Sequence, residues 1–134
     1  MLNAFRKALR AERRGFTLIE LVVVLAILAV IISLAIPRYL AARKRAYKSE
    51  ADNILQETKS LEWSYYQQYN QFDTTGANLG LVVPPGMHWN APSVNGGASN
   101  ITITMSGAVQ PLTANDSVWI TLSGDGSSTG GATF

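Results

Sequence analysis

From residue 21 to residue 36 the chain carries no charge, and one glutamate, Glu20, stands directly before that run. With residues 16–19 added, the segment reaches the ~20 residues that a membrane-crossing helix needs. A carboxylate at the end of such a segment costs roughly 2.5–3.5 kcal/mol on insertion scales. The placement therefore asks which cation Glu20 meets. An amine is one answer, created if the chain is cut just before Phe16.

The charges on either side set an orientation. Residues 1–15 hold Arg6, Lys7, Arg10, Arg13 and Arg14 against Glu12, a net of +4. The remaining six basic and eight acidic side chains leave about −2. A basic flank before an apolar run keeps that end in the cytoplasm, so the residues after Pro37 are expected outside. An ordinary secretory signal, cut after Ala35 in Ser33-Leu34-Ala35, is the first alternative. Glu20 argues against it, because a signal's apolar region needs no charge. An uncleaved single-span anchor is the second.

Helical character continues well past the apolar run. Residues 16–69 read as one helix of roughly 80 Å, with Pro37 expected to kink or break it. Arg38, Arg43, Lys44, Arg45 and Lys48 follow as a basic cluster. They serve either as a collar at lipid headgroups or as partners for Glu50, Asp52, Glu57 and Glu62 of staggered neighbouring copies. Tyr47, Ala51, Ile54, Leu55, Thr58, Leu61, Tyr65 and Tyr69 recur at helical spacing, which marks the face that receives the rest of the protein. Trp63, Tyr65, Tyr66 and Tyr69 read as core and rim aromatics.

The second half changes period. Residues 70–99 are rich in turn residues, with Leu79, Leu81, Val82 and Val83 expected to point inward. Residues 101–105 and 118–122 alternate in period two, and residues 89–94 form a weaker third strand candidate. Three antiparallel strands with one apolar face would pack on the helix stripe. Residues 124–134 read as a pinned or loosely ordered tail. The chain has no cysteine, so a device other than a disulfide must hold its C-terminal loop.

Enzyme chemistry finds little footing. His88 is the only histidine, and no nucleophile elbow, phosphate-cradling loop or metal-ligand spacing is present. No catalytic residue, cofactor or metal is therefore assigned. Asp73, Asp116 and Asp125 could gather around calcium, but their spacing fits no EF-hand pattern and two or three carboxylates are thin for an oxygen cage. Asn100-Ile101-Thr102 and Asn115-Asp116-Ser117 match a glycosylation sequon by a pattern that chance often supplies. Beyond Lys59 there is no Lys or Arg, so direct nucleic-acid binding is not expected.

Gly15-Phe16-Thr17-Leu18-Ile19-Glu20, behind Arg13-Arg14, resembles the processing motif of type IV prepilins and type II secretion pseudopilins. The resemblance is specific from residue 13 to about residue 46. It implies that a membrane peptidase cuts between Gly15 and Phe16 and methylates the Phe16 nitrogen. It implies that Glu20 neutralises the N-terminal amine of a neighbouring subunit, and that Pro37 is the family's recurrent proline where the helix loosens on assembly. It also implies an α+β fold: a long N-terminal helix carrying a small antiparallel sheet on its C-terminal half.

The expected organisation follows from these readings. Residues 1–15 are a removable leader, 16–37 the membrane or filament-core helix and 38–70 its amphipathic half. Residues 71–99 form a loop, and 100–134 a sheet and C-terminal loop. The expected function is a structural subunit of a type IV pilus serving motility, adhesion or DNA uptake. A secretion pseudopilin and a membrane-anchored binding module are the alternatives. Expected partners are identical subunits, the prepilin peptidase/methyltransferase and the inner-membrane assembly machinery. The precursor would sit in the inner membrane, and the assembled filament outside the cell.

Overall fold

The computed structural model describes residues 15–134; most of the expected leader, residues 1–14, lies outside the described residues. One helix, α1 (Leu18–Tyr69), is followed by β1 (Ser93–Gly96), β2 (Asn100–Ser106), β3 (Ser117–Ser123) and β4 (Ser128–Ala132). The chain divides into two units at Arg38, and α1 contributes to both. Its helical assignment runs through Pro37 without interruption, so the break weighed for that position does not occur.

In the first unit every described residue from 15 to 38 is solvent-exposed. No described element of this unit covers the apolar stretch, so its stability cannot come from burial within the unit.

The second unit has a conventional core. Its sheet runs in the order β1-β2-β3-β4, antiparallel throughout. Alternation on β2 buries Ile101, Ile103 and Met105, and alternation on β3 buries Val118, Ile120 and Leu122. Ile103, Met105, Val118 and Ile120 pack against Ala51, Ile54 and Leu55 of α1, with Trp89 and Leu112 closing the cluster. Each fully buried aliphatic side chain contributes roughly 1.5–3 kcal/mol, so this seam is the main source of stability for the unit. A second cluster, Phe72, Ile101 and Leu122, is capped by Trp63 and Tyr66.

Five sequence expectations change here. The third strand lies at residues 93–96, inside the stretch read as loop, while Trp89 makes only an isolated bridge to Gly107. The tail expected to be loop contains β4, which pairs with β3 from Ser128 to Ala132. The turn before it is built on Asp125-Gly126: Gly126 adopts φ 86° and Asp125 Oδ1 accepts from the Ser127 amide and hydroxyl. Val82, read as inward, is 77% exposed. Glu62, read as a surface partner for neighbouring cations, is fully buried, while Tyr69 of the expected stripe is exposed.

Polar and aromatic contacts do the work that a disulfide does not. Lys44 Nζ sits 2.7 Å from Asp116 Oδ1, tying the β2–β3 connection to α1. Lys59 Nζ donates to Ser128 Oγ at 2.8 Å. Thr133 donates its amide to Ser117 O and accepts the Ser117 amide on its hydroxyl at 2.8 Å. The Phe134 ring lies 6.0 Å from Trp89.

Candidate functional site

The sequence places the candidate site at the start of α1. Gly15 and Phe16 are exposed and precede the helix, and a side chain at position 15 would meet nothing within 4 Å.

Thr17 and Glu20 form a reciprocal cap immediately after it. Glu20 Oε2 accepts from the Thr17 amide at 2.9 Å and from the Thr17 hydroxyl at 2.8 Å. Thr17 Oγ1 in turn accepts from the Glu20 amide at 3.2 Å. This is a capping box, which satisfies helix N-terminal donors that otherwise have no partner. A carboxylate in the first turn also suits the positive end of the helix dipole. Glu20 therefore has a local role that the sequence reading did not assign. The signal was legible as Thr-x-x-Glu before an apolar run.

Beyond the cap, α1 is the one described helix long and apolar enough to cross a membrane. Its exposed face includes Leu18, Ile19, Val30 and Leu34, all more than 60% accessible.

The basic cluster that follows is partly used up within the chain. Lys44 pairs with Asp116, and Lys48 pairs with Asp52 one helical turn on, at 2.6 Å. The Arg43 guanidinium lies 5.5 Å from the Tyr47 ring centre and donates to its hydroxyl at 3.0 Å. Among the described residues, Arg38 and Arg45 make no salt bridge, and both are exposed.

The remaining candidates belong to the helix–sheet seam. His88 stacks on Tyr47 at 3.8 Å, and its Nδ1 lies 3.2 Å from Glu50 Oε2. The neighbouring Trp89 donates its indole N–H to Tyr47 O at 2.8 Å. His88 is thus part of a clasp between loop and helix.

The three aspartates weighed as a calcium cage serve different loops. Burial would raise the Asp73 carboxyl, but the Thr75 and Asn78 donors outweigh it and hold the group below its ordinary value. Asp116 behaves likewise: burial raises it, and Lys44 and Thr113 bring it down further. Among the described residues no three His, Cys, Asp or Glu side chains gather as a metal site. A cleft of about 430 Å³ lies between α1 and β4, lined by Lys48, Asp52, Gln56 and Lys59 on one side and residues 128–131 on the other.

Comparison with known proteins bears on this N-terminal geometry. The family profile for the prokaryotic N-terminal methylation motif matches residues 10–36. The chain is 31% identical over 99 residues to the type IV major pilin protein PilE1 of Neisseria gonorrhoeae, an alignment covering 71% of this chain and 55% of that one. It is 37% identical over 75 residues to the type IV wide pilus major component PilA4 of Thermus thermophilus, covering 54% and 57%. It is 33% identical over 72 residues to the type II secretion system core protein G of Dickeya chrysanthemi, covering 54% and 47%. The chain thus spans about half the length of these relatives. The motif and these relatives make the chain similar to the type IV pilins and type II secretion pseudopilins. Its long helix and four-stranded antiparallel sheet are the α+β architecture expected of that family.

Proposed function

We propose that this chain is a structural subunit of a type IV pilus. The observation that carries the reading is the fully exposed apolar stretch of α1, preceded by an accessible Gly15 and Phe16 inside a methylation motif. An apolar surface of that length needs lipid or other helices around it. A filament subunit uses both in turn.

In this reading residues 1–15 hold the precursor with its N-terminus in the cytoplasm. Prepilin peptidase hydrolyses the bond between Gly15 and Phe16, and the new Phe16 amine is methylated. The amine remains a cation near neutral pH. Glu20 of an adjacent subunit neutralises it as the subunit leaves the inner membrane. Because lipid is as apolar as the helix, packing and this charge pair supply the specificity. Residues 16–37 become the filament core, with Pro37 the place where the helix loosens. Residues 38–70 carry the sheet-bearing head outward, where it forms the surface of an extracellular fibre. The partners are identical subunits, the peptidase and the inner-membrane assembly machinery. The role is structural and not enzymatic.

The relationship to a secretion core protein supports a second reading, a pseudopilin. Both readings share the processing step. Intact mass and N-terminal sequencing of the protein from its own cells test it. A chain beginning at N-methylated Phe16 is expected. A start at Ile36 or an intact Met1, in cells with active peptidase, overturns it.

A further inference from the structure

One buried group has no place in the assembly reading. Glu62 is fully buried on the face of α1 that receives the loop between α1 and β1. Its Oε2 accepts the Asp73 amide at 3.1 Å. Its Oε1 is buried without any hydrogen-bond partner. A buried unpartnered carboxyl oxygen is costly and calls for an explanation.

The neighbouring Asp73 supplies it. Asp73 Oδ1 accepts from the Thr75 amide and hydroxyl at 3.0 and 2.7 Å, and Oδ2 accepts from the Asn78 amide at 2.7 Å. Three donors hold Asp73 as the anion. Two carboxyls this close do not both ionise readily, and the one with fewer donors takes the proton. That one is Glu62, whose Oε1 has no donor to hold a negative charge. Burial is the main cause that pushes its carboxyl up to about 7, and the Asp73 charge adds to it against the opposing Asp73 amide.

Among the described residues no cation offsets this. Lys59, three residues earlier on α1, commits its ammonium to Ser128. Phe72, next to Asp73 in the chain, packs with the apolar Ile101 and Leu122 of the sheet. Among the described residues Asp73 is the one charged group acting on Glu62.

We propose that Glu62 is a proton-binding site that latches residues 72–79 onto α1, closed when protonated and released when the carboxyl ionises. An ionised Glu62 must find water. The helix around it is held by its own hydrogen-bond ladder, so the loop yields. Phe72 and Leu79 are its apolar anchors and Asp73 its hinge to the helix. The surface presented beside the sheet therefore differs between mildly acidic and mildly alkaline surroundings.

The linkage sets the size of the effect. With Glu62 near 7 in the closed state and in the ordinary glutamate range when open, the open-to-closed ratio rises about tenfold between pH 6 and pH 8. The test uses the full, unassembled chain in detergent micelles, so its failure leaves the filament reading standing. The Glu62 side-chain carboxyl is followed by ¹³C NMR, and amide protection of residues 72–79 by hydrogen exchange corrected for intrinsic rates. A Glu62 midpoint near 7 and a tenfold loss of protection from pH 6 to 8, absent in Glu62→Gln, are expected. A midpoint in the ordinary glutamate range overturns the proposal, as does an equal loss of protection in Glu62→Gln. The wild-type titration decides the matter even where the variant does not fold.

Discussion

Thr17 and Glu20 cap the start of α1 reciprocally, each side chain accepting from the other residue's backbone amide. The residue proposed to neutralise a neighbour's amine is thus also the residue that starts its own helix. These two roles separate by chemistry. A capping box needs an acceptor, which glutamine provides; an ion pair needs a charge, which glutamine lacks.

Glu20→Gln is therefore expected to keep the helix start and lose assembly. Glu20→Ala is expected to lose both, because alanine has no acceptor for the Thr17 amide. Filament yield by sedimentation or microscopy, compared at equal membrane levels of precursor, is the measurement. Near-normal filaments from Glu20→Gln with failure of Glu20→Ala would assign Glu20 to capping alone.

Asp116→Asn is expected to destabilise the head. It removes the charge that holds Lys44 across the helix–loop contact, where Asp116 is nearly buried. Hydrogen bonds to charged groups contribute about 1.5–3 kcal/mol, so a loss near 2 kcal/mol is expected. Urea unfolding of the full chain in micelles, followed by tryptophan fluorescence, reads it. An unchanged midpoint would show that the Thr113 donors suffice.

Stability should peak on the acid side of neutrality. Asp73 and Asp116 are held below their ordinary values, so their contribution is present above the unfolded aspartate range and is lost as pH falls through their folded values. Glu62 has the opposite sign. Its folded carboxyl lies near 7 against 4.5 unperturbed, so the folded state binds the extra proton between those values. Stability then falls by roughly 3 kcal/mol as pH rises through that window. Melting temperature measured from pH 3 to pH 8 should be highest near pH 4 to 5. A curve still rising between pH 5 and 7 would contradict the sign assigned to Glu62.

Gly107→Ala should be costly where Gly97→Ala is not. A Cβ at position 107 would lie 2.5 Å from Thr113 O and 2.7 Å from Leu112 Cβ, so backbone must move. Overpacking of this kind costs about 1–3 kcal/mol. At position 97 nothing lies within 4 Å, and a surface change there is expected within about 0.5 kcal/mol. Thermal melts of the two variants compare them directly.

Much of this protein is local in origin and was readable without coordinates. The apolar run, the basic flank and the position of Glu20 define a membrane-length helix and its processing motif, because hydropathy and charge act residue by residue. Period-two alternation located β2 and β3, since each buries one face against α1. The signals for β4 and for the cap, Asp125-Gly126 and Thr17-x-x-Glu20, are faint, because β4 is too glycine-rich to alternate and the cap lies inside a stronger motif.

Other features were decided only by tertiary packing. Helical spacing puts Glu62 on the buried stripe and Glu57 off it, but that the stripe takes in a carboxyl there, and what it meets, only the packing shows: one is fully buried and the other exposed. The same holds for Asp116, which meets Lys44 across 72 positions of chain. Whether a carboxylate faces water, a cation or another carboxylate depends on which distant segments the fold brings to it. Its charge state follows from that environment, because desolvation and Coulomb interaction act through space.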